Sequence, residues 1–75
     1  MTQKQKRYVY DIEKELRKLE GGTDIKVYAS IDLVRIQHTK IEKAYRMFCM
    51  DKSYTKRKIR ETMVKLFDEI KKETA

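Results

Sequence analysis

Lys52, Lys56, Arg57, Lys58 and Arg60 fall within a nine-residue stretch that contains no acid. Ser53, Tyr54 and Thr55 place three hydroxyls among them. Cations spaced this way, with hydroxyl donors between them, suit the binding of phosphate oxygens. A second acid-free segment, residues 1–7, adds Lys4, Lys6 and Arg7. The formal net charge is +7, and these segments carry +5 and +3, so the rest of the chain sums to −1. A positive field concentrated in two short segments attracts polyanions, whereas an even scatter mainly aids solubility.

The other reactive side chains are isolated. His38 is the only histidine. On a helix its neighbours three and four residues away would be Val34, Arg35, Ile41 and Glu42, so it reads as half of a surface His–Glu pair and not as a metal ligand. Cys49 is the only cysteine, and it is expected to pack as a small apolar residue. Met47, Met50 and Met63 read as core or interface filler. No glycine-rich phosphate loop, paired-cysteine motif or nucleophile elbow is present. The expectation is therefore a binding protein: no enzyme, no cofactor, no metal and no small-molecule substrate. Tyr28 and Tyr54 are expected to be exposed, with Tyr8 and Tyr45 at the edge of the core. The seven Tyr and Phe form no ladder for stacking single-stranded bases.

These side chains must be positioned by few elements. A chain of 75 residues forms one domain, here taken as residues 1–75, with a core small enough that a second copy is a natural route to stability. No apolar run approaches a membrane span, and no secretory signal follows the basic N-terminus. One cysteine forms no internal disulfide, in keeping with a cytoplasmic setting. The absence of proline and the presence of only two glycines predict long regular elements.

Residues 4–20 read as an amphipathic helix, with Val9, Ile12, Leu16 and Leu19 along one stripe and Gly21-Gly22 ending it. Glu13–Arg17, Asp11–Lys14 and Glu15–Lys18 are spaced as helical ion pairs. Residues 25–30 alternate: Ile25, Val27, Ala29 and Ile31 define one face of a strand and Lys26, Tyr28 and Ser30 the other. Residues 31–50 fit one helix with Ser30 as its N-cap, since Leu33, Val34, Ile41, Ala44, Tyr45, Phe48 and Cys49 share a face. Ile36 and Met47 fall off that face. Thr39-Lys40-Ile41-Glu42 has the spacing of a capping box, which would start the helix later and let the extended segment run toward Gln37. A final helix over about 54–73, capped by Ser53 or Thr55, carries Ile59, Met63, Leu66, Phe67 and Ile70.

The expected fold class is thus mainly α, or α+β, in the order helix-strand-helix-helix. A solitary strand leaves backbone groups unpaired, so it is expected to pair with its copy across a twofold homodimer. Over residues 25–70 this element order resembles a ribbon-helix-helix dimer with an extra N-terminal helix. That resemblance implies a ribbon in the DNA major groove, with Lys26, Tyr28 and Ser30 touching base edges. The order is also similar to the first elements of a winged-helix domain without the wing, a helix-turn-helix variant. Both readings turn Lys52, Ser53, Tyr54, Lys56, Arg57, Lys58 and Arg60 toward phosphate. The functional expectation is a small dimeric double-stranded-DNA-binding protein, a transcriptional regulator or accessory factor. The alternative is an interaction module whose basic segments meet an acidic partner surface.

Overall fold

The structure, a computed structural model, describes residues 1–19, 24–31 and 33–74. Its elements are α1 (Gln3–Arg17), β1 (Ile25–Ala29), β2 (Leu33–His38), β3 (Ile41–Cys49) and α2 (Lys56–Thr74). The strands form one antiparallel sheet in the order β1-β2-β3, and both helices pack on the same face of it. The class is α+β. The helix-strand-helix-helix order is overturned, and the ribbon-helix-helix and helix-turn-helix likenesses go with it.

The expected helix over 31–50 is instead a β-hairpin. Val34, Ile36 and His38 are buried while Arg35 is exposed, the period of two that a strand imposes. Ile36, which a helix would have turned away from its apolar face, is fully buried. Thr39-Lys40 forms the hairpin turn and not a helix start. His38 shapes that turn: its Nδ1 accepts the Lys40 N–H at 3.1 Å. It is buried, which corrects the surface-pair reading. Ser30 is likewise no helix cap. It sits in the β1–β2 turn, where its N–H donates to the Leu33 carbonyl at 2.9 Å.

The sheet also answers how β1 is paired. On one side β2 takes it, with Val27 opposite Ile36 and Tyr28 opposite Arg35. On the other side α1 takes it: the Glu13 carboxylate accepts the Val27 N–H at 2.7 Å, and the Tyr10 hydroxyl faces the Ala29 N–H at 3.4 Å. Neither edge of β1 is left for a second copy, so the twofold ribbon through residues 25–30 is ruled out.

Helix α1 begins at a capping box. The Thr2 hydroxyl accepts the Gln5 N–H, and the Gln5 side chain accepts the Thr2 N–H. Its stripe of Val9, Ile12 and Leu16 is buried as expected, whereas Leu19 lies beyond the helix and is exposed. The proposed Gly21-Gly22 stop lies outside the described residues. Helix α2 starts at the expected cap, with the Thr55 hydroxyl accepting the Lys58 N–H at 3.2 Å. Ile59, Met63, Phe67 and Ile70 close the core, with Leu66 partly buried beside them.

Several side chains sit otherwise than expected. Ile31 is exposed rather than on the buried face, and Cys49 is exposed on β3 rather than packed at a helix end. Met50 and Met63 are core, but Met47 is exposed. Among the described residues no helix is long and apolar enough to cross a membrane.

Truncating Ile36 to Ala in this sheet is expected to cost about 2–5 kcal/mol, the cost of a cavity in a packed core. Met47→Ala, on the exposed face, is expected to stay within about 0.5 kcal/mol of the parent. Urea unfolding of both variants checks the pair; a helix over 31–50 would leave Ile36→Ala nearly silent.

Candidate nucleic-acid interface

The two helices begin at the same end of the molecule. The Gln5 amide fixes this, because its Nε2 donates to the carbonyls of Asp51 (2.7 Å) and Tyr54 (3.0 Å). Gln5 is buried, so one amide joins the first turn of α1 to the loop that leads into α2. One turn further on, the Lys56 ammonium lies over the Tyr8 ring at 5.2 Å from its centroid. The β1–β2 turn reaches the same end, where the Met1 amino group donates to the Ile31 carbonyl.

Both basic segments therefore converge. Lys4, Lys6 and Arg7 occupy the first turns of α1, and Lys52, Lys56, Arg57 and Lys58 surround the start of α2; all seven are exposed. Neither helix has an acid in its first turn. Helix starts carry the positive end of the backbone dipole, so acids are favoured there and each cation costs about 0.3–1 kcal/mol. Two adjacent helix starts thus carry seven cations and no first-turn acid, with the Asp51 carboxylate in the loop before α2.

The expected site residues divide into three groups. Lys52, Lys56, Arg57 and Lys58 are brought together as predicted. Arg57 also meets Glu61 at 3.4 Å, a solvated pair one turn apart that leaves its side chain almost fully accessible.

Arg60, Ser53 and Tyr54 have other duties. The Arg60 guanidinium makes a two-pronged contact with the Glu15 carboxylate, Nη1 to Oε2 at 2.6 Å and Nη2 to Oε1. This ties α2 to α1 in the planar geometry arginine favours. The Ser53 hydroxyl and N–H both donate to the Asp51 carboxylate, holding that carboxyl below its ordinary range. Tyr54 is half-buried against the core rather than exposed.

Of Lys26, Tyr28 and Ser30, Ser30 lines a shallow depression at this end with Met1, Thr2 and Lys6. Lys26 and Tyr28 project from the outer face of the sheet, the layer opposite the helices, and Ser30 lies in the β1–β2 turn. Sequence reasoning missed the Gln5 tether and the Lys56–Tyr8 contact. For the first, the capping-box spacing Thr2-x-x-Gln5 marks the helix start but not the distant carbonyls that Gln5 reaches. The second spans 48 positions of sequence, and no local pattern announces it.

Among the described residues no cluster of three His, Cys, Asp or Glu has the arrangement of a metal site. No family model matches the chain, and no curated protein or solved structure matches it.

The Arg60 contact holds the Glu15 carboxyl below its usual value of 4.5. A depressed carboxylate adds stability above its unfolded value and loses it as the pH falls through the folded one. Glu15→Gln is therefore expected to lower the thermal midpoint at neutral pH. The difference from the parent should shrink and vanish as acid protonates Glu15, which melting curves from neutral pH to below 4 would follow. A difference that stays constant into acid would show that the contact is not ionic.

Proposed function

We propose that this protein binds the backbone of duplex nucleic acid, duplex DNA in the first place, through the end where its two helices begin. The observation that carries this reading is the convergence of seven exposed cations on two helix starts with no first-turn acid. Intramolecular capping does not call for such a set. Phosphates would supply the negative charge that both dipoles lack, accepting hydrogen bonds from lysine, arginine and helix-start N–H groups.

The reading also says what kind of recognition to expect. Phosphate contacts position a protein on a duplex but carry no base sequence. Of the residues expected to read bases, Lys26 and Tyr28 project from the sheet face opposite the helices, and Ser30 lies in the β1–β2 turn. Binding of this kind follows the spacing of backbone charge and depends little on sequence. It suits an accessory factor better than an operator-specific regulator. Arg60 supports the interface indirectly, by holding the two helix starts side by side through Glu15.

Anisotropy titrations of a labelled duplex across salt concentrations test this. The slope of log affinity against log salt is expected between about −4 and −6, for four cations of the α2 start or all seven. The double variant Arg57→Ala/Lys58→Ala should reduce the slope by about 2 and weaken unrelated duplex sequences alike. Arg60→Ala should instead lower the thermal midpoint while the slope stays near that of the parent. A salt-independent titration, or strong preference for one base sequence, would overturn the proposal.

A further inference from the structure

The two outer edges of the sheet differ. The edge of β1 is closed by α1, through the Glu13 carboxylate on the Val27 N–H and the Tyr10 hydroxyl at the Ala29 N–H. The edge of β3 has no such cover, and the strand register identifies the backbone groups it presents. Val27 and Ala29 turn their N–H groups away from β2, so Lys26 and Tyr28 are the residues that bond to it, opposite Gln37 and Arg35. Backbone groups alternate along a strand, so Val34 and Ile36 bond to β3, opposite Phe48 and Arg46. Met47 and Cys49 therefore direct their N–H and C=O groups outward. Among the described residues no backbone or side-chain group meets them there.

Charges, prolines and bulges are the devices that keep an open edge from pairing. The register shift between β2 and β3 lies at Gln37/His38, near the hairpin turn and away from residues 46–49. The chain has no proline. The one charge within residues 46–49, Arg46, is drawn to Glu69 and Glu73 on α2. Met47, at the middle of this stretch, is apolar and 61% exposed.

Such an edge is complementary to itself. Two antiparallel copies centred on Met47 let the two Met47 residues exchange N–H···O bonds, with Cys49 opposite Tyr45 in the backbone register. Residues directly opposite share a face, so the two Met47 side chains come to lie side by side and cover one another. The pairing also stops at two. The joined sheet runs β1-β2-β3-β3-β2-β1, and α1 closes both of its outer edges. Reversal of strand direction turns the two cationic ends in opposite directions, which limits repulsion between bodies that each carry +7. Another extended chain could bond to the edge, but a second copy brings Met47 to Met47 and a closed far edge.

We infer that the open edge of β3 pairs with the same edge of a second copy, making a twofold dimer with one continuous sheet. The dimer forms through β3, where one through β1 is excluded, and it does not rest on phosphate binding.

The test follows the full chain, nuclease-treated and free of nucleic acid, by analytical ultracentrifugation and amide hydrogen exchange across protein concentrations. The mass is expected to rise from that of one chain to twice that value and no further. Exchange of the Met47 and Cys49 amides should slow about tenfold or more as the dimer fills, and recover on dilution. Salt should strengthen the association by screening two cationic bodies, the opposite of its effect on duplex binding. Met47→Pro removes an outward donor without touching the ladder to β2, so it should hold the chain monomeric with the circular dichroism of the parent. A mass of one chain at every concentration, assembly beyond two, a dimer whose Met47 and Cys49 amides exchange as fast as in the monomer, or association that fades with salt would each overturn the inference. The wild-type measurements decide it even where the proline variant fails to fold.

Discussion

An extended segment presents backbone donors and acceptors to both sides, and a buried one must satisfy them all. For β1 and β2 that requirement is met inside one chain. β2 pairs with β1 on one side and β3 on the other, and the outer edge of β1 is closed by side chains of α1. The Glu13 carboxylate on the Val27 N–H is the clearest case, because it places an acid where a neighbouring strand would otherwise lie. The rest of the architecture follows from it. With α1 held along β1, its stripe of Val9, Ile12 and Leu16 faces the sheet, and α2 fills the remaining width above β2 and β3.

The same placement decides which charges are structural. Arg60 bridges to Glu15 on α1, and Arg46 of β3 reaches Glu69 and Glu73 on α2. These cations sit where elements must be joined, and their carboxylate partners come from another element. Lys4, Lys6, Arg7, Lys52 and Lys58 make no ion pair with another described residue. They sit where electrostatics alone would have preferred acids. A count of basic residues in the chain treats Arg60 and Lys58 alike. The Glu15 contact marks Arg60 as one that locks helices, whereas Lys58 is exposed.

Much of this was legible in the sequence, and the illegible part has a physical cause. Both helices show a three-and-four spacing of apolar residues, and the second has a capping residue at its start, so their existence and buried faces followed directly. The β1 alternation was equally clear, because Lys26 and Tyr28 interrupt Ile25 and Val27. The hairpin over 33–49 was not, since Leu33 and Val34 are adjacent apolar residues and Ile41, Ala44, Tyr45 and Phe48 also satisfy a helical wheel. In a strand two neighbouring apolar residues lie on opposite faces. Here the outer face keeps its apolar members exposed, and that blurs the period of two. Ile36 and Met47 were the residues out of place on the wheel; one is core and the other is on the exposed face. Pairing partners were beyond reach altogether, because a Glu13–Val27 or Glu15–Arg60 contact depends on how elements are laid together and not on local spacing.

The hairpin changes the functional reading as well as the fold. A lone strand had to look outward for its hydrogen bonds, and that need made a dimer and a groove-reading ribbon follow from each other. Once β2 supplies those bonds, strand pairing no longer calls for a groove-reading ribbon, and Lys26 and Tyr28 stand on the exposed outer face of the sheet. The cationic end is untouched by the change. Its elements, the starts of α1 and α2, are those whose boundaries the capping residues Thr2 and Thr55 set locally. Phosphate binding at helix starts needs only those starts and their flanking cations. Base reading needs a particular strand in a particular groove, and it fails with the first error in topology.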